Sequence, residues 1–129
     1  MQPDKQRILC VDDHDDTCFM LSALFGQEGY ETVSAGNMSE ALELARREHF
    51  DLYILDARLP DGSGLELCVS LRALDPHARI IFYSGAAYER DRIAGLSRGA
   101  SAYIIKPEIN ELLETVAGLL GGRAYVATD

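Results

Sequence analysis

The chain has 129 residues, 47% of them hydrophobic, and a net charge of −9 from 12 Lys and Arg against 21 Asp and Glu. This length accommodates one domain with a real core, which excludes a disordered or fibrous protein. The acidic balance argues against direct nucleic-acid binding, since phosphate contacts require a basic surface. Cys10, Cys18 and Cys68 form no CxxC pair and do not cluster with a histidine, so neither a disulfide framework nor a zinc site is predicted.

The N-terminus carries no recognisable secretion signal. Residues 1–7 lack the apolar region of a secretion signal, and no later stretch is apolar over the length of a membrane span. We therefore predict a cytoplasmic domain that does not contact a membrane. Residues 1–122 are assigned to this domain and residues 123–129 to a C-terminal tail or truncated linker, because they are too few for another strand and helix.

Short apolar runs alternate with segments of helical periodicity along the whole chain. Because the runs are apolar throughout, they suit a parallel sheet covered by helices on both faces. We predict an α/β fold of (βα)5 type, a doubly wound five-stranded parallel sheet. The predicted strands are Ile8–Val11, Thr32–Ala35, Leu52–Leu55, Ile80–Tyr83 and Ala102–Ile105, and the predicted helices cover about residues 16–28, a segment after Asn37, 64–74, 88–97 and 109–120.

Two local signals place helix ends. Gly29 is expected to end the first helix, because glycine accepts the left-handed conformation that follows a helix. Asn37 with Glu40 three residues later predicts a capping box at the start of the second helix.

Polar residues follow the predicted strands at positions that share one edge of a parallel sheet, where ligands of such folds bind. Asp12 and Asp13 follow the first strand, Asp56 the third, Ser84 the fourth and Lys106 the fifth. Carboxylates that converge repel one another, and Mg²⁺, which prefers oxygen ligands, relieves that repulsion. Asp56 is the candidate nucleophile for phosphoryl transfer, with Ser84 and Lys106 binding the phosphoryl oxygens.

These residues, together with Leu59-Pro60-Asp61-Gly62-Ser63-Gly64 after Asp56 and Pro107 after Lys106, resemble the receiver domain of bacterial response regulators over about residues 6–120. The resemblance implies the flavodoxin-like strand order 2-1-3-4-5 for the domain at residues 1–122. It also implies a phosphorelay function, in which Asp56 accepts a phosphoryl group from a phosphohistidine of a sensor kinase or phosphotransfer protein. Such a chain is not a conventional enzyme, because it catalyses only its own phosphorylation and dephosphorylation.

The resemblance assigns ligands to the cation. Mg²⁺ would be bound by Asp13, Asp56 and the backbone carbonyl of Arg58, with Asp12 acting largely through water. Arg58 and Ala86 occupy positions that in this family tune the lifetime of the acyl phosphate. We hypothesise that the Arg58 side chain lies over the phosphoryl group or pairs with a nearby carboxylate, which would prolong the phosphorylated state.

The resemblance also implies a conformational switch. Ser84 would move to the phosphoryl group, and Tyr103 would turn inward into the vacated space. Lys106 would bind the phosphoryl group and form a cis bond with Pro107. The output surface for a downstream protein or output domain would be the fourth helix, the fifth strand and the fifth helix, and family analogy allows dimerisation on phosphorylation.

Other functions share part of this pattern. A flavodoxin-like electron carrier needs a hydroxyl- and glycine-rich loop after the first strand, where this chain has four aspartates within residues 12–16. A phosphatase of the haloacid dehalogenase kind needs an acid two residues after its nucleophile, where this chain has Arg58. A degenerate receiver that works without phosphorylation is disfavoured by the full set of site residues and stays open.

Four side chains near the same edge leave their roles open. For His14 we favour a solvated loop residue over a metal-binding or proton-transfer role. Cys18 and Phe19 are candidates for docking the phosphoryl donor, and partial burial explains Phe19 equally well. The switch role of Tyr103 depends on the resemblance alone, since strand packing also explains it.

Overall fold

A computed structural model describes residues 5–121, in which strands and helices alternate. Their order along the chain is β1 (Arg7–Val11), α1 (Asp15–Gln27), β2 (Glu31–Ala35), α2 (Met38–Arg47), β3 (Leu52–Leu55), β4 (Arg58–Leu59), β5 (Gly62–Ser63), α3 (Gly64–Leu74), β6 (Ile80–Ser84), α4 (Glu89–Ser97), β7 (Ala102–Ile105) and α5 (Ile109–Leu120).

The large sheet has five parallel strands in the order β2-β1-β3-β6-β7. Counting only these five strands, this is the order 2-1-3-4-5, so the predicted fold is confirmed. The predicted strand and helix ends agree with the structure to within one residue. The sequence did not predict the small antiparallel hairpin of β4 and β5, which lies between β3 and α3.

Alternate residues of the central strands supply two separate cores. In β3, Tyr53 and Leu55 pack on the side of α2 and α3, whereas Leu52 and Ile54 pack on the side of α1 and α5. A strand covered on both faces is apolar throughout because neither face meets water. The prediction that all five strands are buried in this way is wrong for β2, because β2 is an edge strand with exposed Glu31.

The ends of α1 and α2 show one confirmed prediction and one correction. Gly29 has φ 91° directly after α1, as expected. The capping box predicted for α2 is only half formed: the Asn37 side chain accepts from the Glu40 amide at 2.8 Å, but the Glu40 carboxylate accepts from the Gly36 amide at 3.0 Å. Asn37 satisfies one of the free amides of the first turn, and further amides are bound by a residue from another part of the chain.

That residue is Asp61, in the turn of the β4–β5 hairpin. Its carboxylate accepts from the amides of Met38 at 2.7 Å and Ser39 at 2.9 Å. Hydrogen bonds to the charged form stabilise it, and these two bonds lower the pKa of Asp61. The hairpin that follows Asp56 is therefore tied to the start of α2.

We expect Asp61→Asn to destabilise the protein at pH 7 and to have a smaller effect near pH 3. A carboxylate whose pKa is lower in the folded than in the unfolded chain stabilises the fold at neutral pH, and this contribution is lost as pH falls through the folded pKa. Urea unfolding at the two pH values measures the difference. Glu43→Gln, an exposed change on α2, is the control, and an equal effect of Asp61→Asn at both pH values would contradict the prediction.

Of the helices within residues 5–121, none combines the length and the apolar character that crossing a membrane requires.

Candidate functional site

The predicted site residues meet at the carboxyl edge of the large sheet. Backbone hydrogen bonds continue the pairing one residue beyond the strands, from the Asp56 amide to the Val11 carbonyl at 2.9 Å and from the Lys106 amide to the Ser84 carbonyl at 2.9 Å. Asp12 follows directly on β1. The parallel register therefore fixes the spacing of these side chains through the backbone.

Lys106 lies between two buried carboxylates. Its Nζ is 2.7 Å from Asp12 Oδ2 and 3.3 Å from Asp56 Oδ2, and the two aspartate side chains are only 5% and 8% exposed. Burial opposes the charge of Lys106, but its hydrogen bond to Asp12 and the charges of both aspartates outweigh burial and raise the pKa of Lys106. The ammonium group thus stays charged and partly compensates the two carboxylates.

The acidic side chains form a set of donors suited to a divalent cation. Ligand atoms of Asp12, Asp13, His14 and Asp56 all lie within 4.8 Å of one another. Lys106 supplies one positive charge against three carboxylates, so the cluster keeps a negative charge that a cation would compensate. Carboxylate oxygens are hard donors of the kind that Mg²⁺ prefers, so these residues fit the predicted cation.

A chain of hydrogen bonds connects Asp56 with Tyr103. Ser84 Oγ donates to Asp56 Oδ1 at 2.7 Å, the Ala86 amide donates to Ser84 Oγ at 3.1 Å, and Tyr103 Oη donates to the Ala86 carbonyl at 2.7 Å. The Tyr103 ring stacks on Phe82 with centroids 5.4 Å apart, and burial raises the pKa of its phenol. Ser84 thus contacts Asp56 and Tyr103 is buried, while their exchange between two forms stays a prediction.

His14 is an exposed loop residue, as the favoured interpretation predicts, and its ring also contacts the acidic cluster. Its side chain is 65% exposed, yet Nδ1 lies 2.8 Å from Asp12 Oδ1 and 3.3 Å from Asp13 Oδ1. The hydrogen bond to Asp12, followed by the charges of Asp12 and Asp13, raises the pKa of His14. Its position directly after the two aspartates was the signal in the sequence, but only the ring orientation shows the contact.

The cluster opens into a pocket of about 830 Å³ that Arg58 also lines. Within residues 5–121 no carboxylate lies at ion-pair distance from the Arg58 guanidinium, so the structure does not show the pairing alternative. A position of Arg58 over the phosphoryl group stays a prediction.

Phe19 is 79% exposed, which excludes burial as its explanation and leaves donor docking as a prediction. The Lys106–Pro107 bond is cis, as predicted.

Comparison with known proteins gives the class of this fold and site. The model of the response regulator receiver domain matches residues 8–117, so the chain belongs to this family. It is 36% identical over 123 residues to the probable transcriptional regulatory protein TcrX of Mycobacterium tuberculosis, covering 95% of this chain and 53% of TcrX. It is 37% identical over 117 residues to the response regulator protein PilR of Pseudomonas aeruginosa, covering 90% of this chain and 26% of PilR. The chain thus spans about half or less of these relatives.

Solved structures of receivers share the fold over nearly the whole chain. A CheY-like receiver domain protein from Methanospirillum hungatei has a TM-score of 0.87 and 34% identity, over 92% of this chain and 95% of that one. The response regulator TrrA from Thermotoga maritima, solved in complex with Mg²⁺-BeF, has a TM-score of 0.81 and 34% identity, over 88% of this chain and 98% of that one.

Proposed function

We propose that this receiver is a phosphorylatable switch of a two-component system, with Asp56 as the acceptor of a phosphoryl group from a phosphohistidine. The observation that carries the proposal is the setting of Asp56. Its two oxygens are held separately, Oδ1 by Ser84 at 2.7 Å and Oδ2 by Lys106 at 3.3 Å, beside further carboxylates that fit a cation. These contacts fix the orientation of the Asp56 carboxylate, which lines the pocket.

In the transfer step, an Asp56 oxygen attacks the phosphorus of the donor, and a P–O bond forms as the P–N bond to the donor histidine breaks. The donor imidazole leaves with the electron pair of that bond and takes up a proton. Lys106 is placed to bind a phosphoryl oxygen, and the Ser84 hydroxyl, which now donates to Asp56, is placed to donate to another. Asp12, Asp13, Asp56 and the Arg58 carbonyl would hold Mg²⁺, which when bound compensates charge on the phosphoryl oxygens.

We further propose that the chain acts once per phosphorylation event rather than as a turnover enzyme. A phosphatase of the haloacid dehalogenase kind needs a general acid two residues after its nucleophile. This chain has the positively charged Arg58 at that position. The acyl phosphate is then removed only by its own hydrolysis. The biological output is a shift between two conformations, driven by one covalent group.

The proposed partners are a sensor histidine kinase or phosphotransfer protein and a downstream protein or output domain, in the cytoplasm. The surface of α4, β7 and α5 is the candidate output face, supported by exposed Tyr88 and Ile93 at α4. The Arg90 guanidinium lies 4.6 Å from the Tyr88 ring centre and covers part of it. The net charge of −9 supports the proposal that this domain does not itself bind nucleic acid.

The test is incubation with acetyl phosphate, with and without Mg²⁺, followed by intact mass. The expected result is a gain of one phosphoryl group that requires Mg²⁺. Reduction with borohydride converts an acyl phosphate of aspartate to homoserine, and peptide mapping then locates it at Asp56. A mass gain on another residue would overturn the assignment. If acetyl phosphate gives no gain, a phosphohistidine donor is used in the same assay, and failure with both donors would overturn the proposed function.

Replacing Lys106 with methionine is expected to slow phosphorylation of Asp56 about 100-fold, the usual effect of removing one donor to the developing charge. Methionine keeps much of the apolar stem but loses the ammonium group that lies 3.3 Å from Asp56 Oδ2. The measurement is the rate of mass gain at a fixed concentration of acetyl phosphate and Mg²⁺. Lys5→Met, a change at the exposed start of the described chain, is the control, and equal rates in the two variants would contradict the role of Lys106.

A further inference from the structure

His14 places a nitrogen atom among the oxygen donors of the cation site. Its Nδ1 lies 2.8 Å from Asp12 Oδ1, 3.3 Å from Asp13 Oδ1 and 4.0 Å from Asp56 Oδ2. The ring therefore faces the point on which the three carboxylates converge, although most of its surface is exposed.

The spacing of these atoms suits one ion with small side-chain adjustments. In an octahedral site with bonds of about 2.1 Å, opposite ligands lie about 4.2 Å apart. The donor atoms of Asp12, Asp13, His14 and Asp56 all lie within 4.8 Å of one another. Rotation of the exposed His14 and Asp13 side chains is enough to close the difference.

The backbone of His14 is held in place while its imidazole ring stays available to bind a cation. His14 is the N-cap residue of α1, but its side chain forms no capping hydrogen bond with the helix. Its backbone amide donates to Asp12 Oδ1 at 2.9 Å, which fixes the loop beside the site. Without a cation, Nδ1–H donates to the Asp12 carboxylate at 2.8 Å. When a cation binds through Nδ1, that proton is released to solvent and the imidazole proton that remains is on Nε2.

We propose that His14 is a cation ligand through Nδ1 and that it sets the metal preference of this receiver. The inference extends the proposed function, since it concerns the same cation site. Mg²⁺ prefers oxygen and retains several waters, so it is held by the carboxylates with little help from His14. Co²⁺ and Zn²⁺ bind imidazole well, and His14 selectively strengthens their binding.

The experiment compares wild type, His14→Ala and His49→Ala by calorimetric titration with Co²⁺ and with Mg²⁺. Removing His14 is expected to weaken Co²⁺ binding about tenfold or more, as loss of a metal-site group does, and to change Mg²⁺ binding by less than about twofold. His49 is the matched control, because its Nε2 pairs with one carboxylate, Asp51, at 3.2 Å and it is not part of the cluster.

X-ray absorption of the Co²⁺-loaded proteins gives a readout of ligation that does not depend on phosphorylation. Scattering from one imidazole ring is expected in wild type and in His49→Ala, and its loss in His14→Ala. Absence of this scattering from wild type, its persistence in His14→Ala, or equal losses of Co²⁺ and Mg²⁺ affinity would overturn the proposal. Asp13→Asn tests the cation site itself: unchanged affinity for both ions would instead count against the proposed function.

Discussion

Replacing Asp56 with asparagine is expected to abolish the gain of a phosphoryl group from acetyl phosphate. The amide lacks the negative oxygen that attacks phosphorus. Because it is neutral, it also cannot compensate the charge of a bound cation. The measurement is intact mass after incubation with acetyl phosphate and Mg²⁺, under conditions in which wild type is fully modified.

The Asp56→Asn variant should fold normally, so a loss of phosphoryl uptake will reflect the missing nucleophile and not misfolding. Asparagine has nearly the same shape, and its carbonyl oxygen still accepts the hydrogen bond that Ser84 Oγ makes at 2.7 Å. The change also removes one of three neighbouring carboxylates and leaves Lys106 paired with Asp12 at 2.7 Å. Stability against urea should therefore be equal to or above that of wild type.

Asp61→Asn is the matched control for this chemical test. It makes the same substitution five residues later, on the hairpin that follows Asp56, at a carboxylate that caps α2 instead of lining the cluster. It should take up phosphoryl at close to the wild-type rate. Uptake by Asp56→Asn, or equal loss of uptake in both variants, would contradict the assignment of Asp56.

Replacing Gly64 with alanine is expected to destabilise the protein by about 3 kcal/mol, at the upper end of the usual cost of overpacking. Gly64 begins α3, and its amide donates to the Ala57 carbonyl at 2.9 Å. A Cβ there would collide with the Asp56 carbonyl oxygen and lie 2.8 Å from Phe82 Cε1. Since one of these neighbours is backbone, rotation of a side chain cannot relieve the collision, and Asp56 itself would have to move.

Urea unfolding measures this effect, with Gly118→Ala as the control. Gly118 lies within α5, and a Cβ there has no neighbour within 4 Å. Alanine at that position should stabilise the protein by up to about 1 kcal/mol, because alanine favours the helix over glycine. If Gly64→Ala were as stable as wild type, the close approach of α3 to the end of β3 would be contradicted.

The sequence contains enough information for the fold and for most of the site. The apolar runs and their spacing are local features, so all five strands could be recognised from the sequence, although β2 is less buried than expected. In a parallel sheet the carboxyl ends share one edge, so Asp12, Asp56, Ser84 and Lys106 could be placed together without coordinates. The strand order, the switch roles of Ser84 and Tyr103 and the Arg58 carbonyl as a ligand came from the family resemblance.

Capping at α2 shows what local sequence signals leave undecided. The pair of Asn37 and Glu40 is a local pattern, and the cap of Asn37 on the Glu40 amide formed as expected. The remaining first-turn amides are bound by Asp61, which is more than 20 residues away. The choice between a local and a distant acceptor depends on where the β4–β5 hairpin packs.

By itself, the sequence determined the βα alternation and the edge of the sheet at which the acidic residues, Ser84 and Lys106 gather, because these follow from the periodicity of burial and from parallel pairing. Only the tertiary structure decided that His14 turns towards the carboxylates, that Arg58 pairs with none of them within residues 5–121, and that Gly64 lies against the Asp56 backbone. These features depend on side-chain rotation and on the approach of separate elements to within a few ångströms, which composition and spacing do not specify.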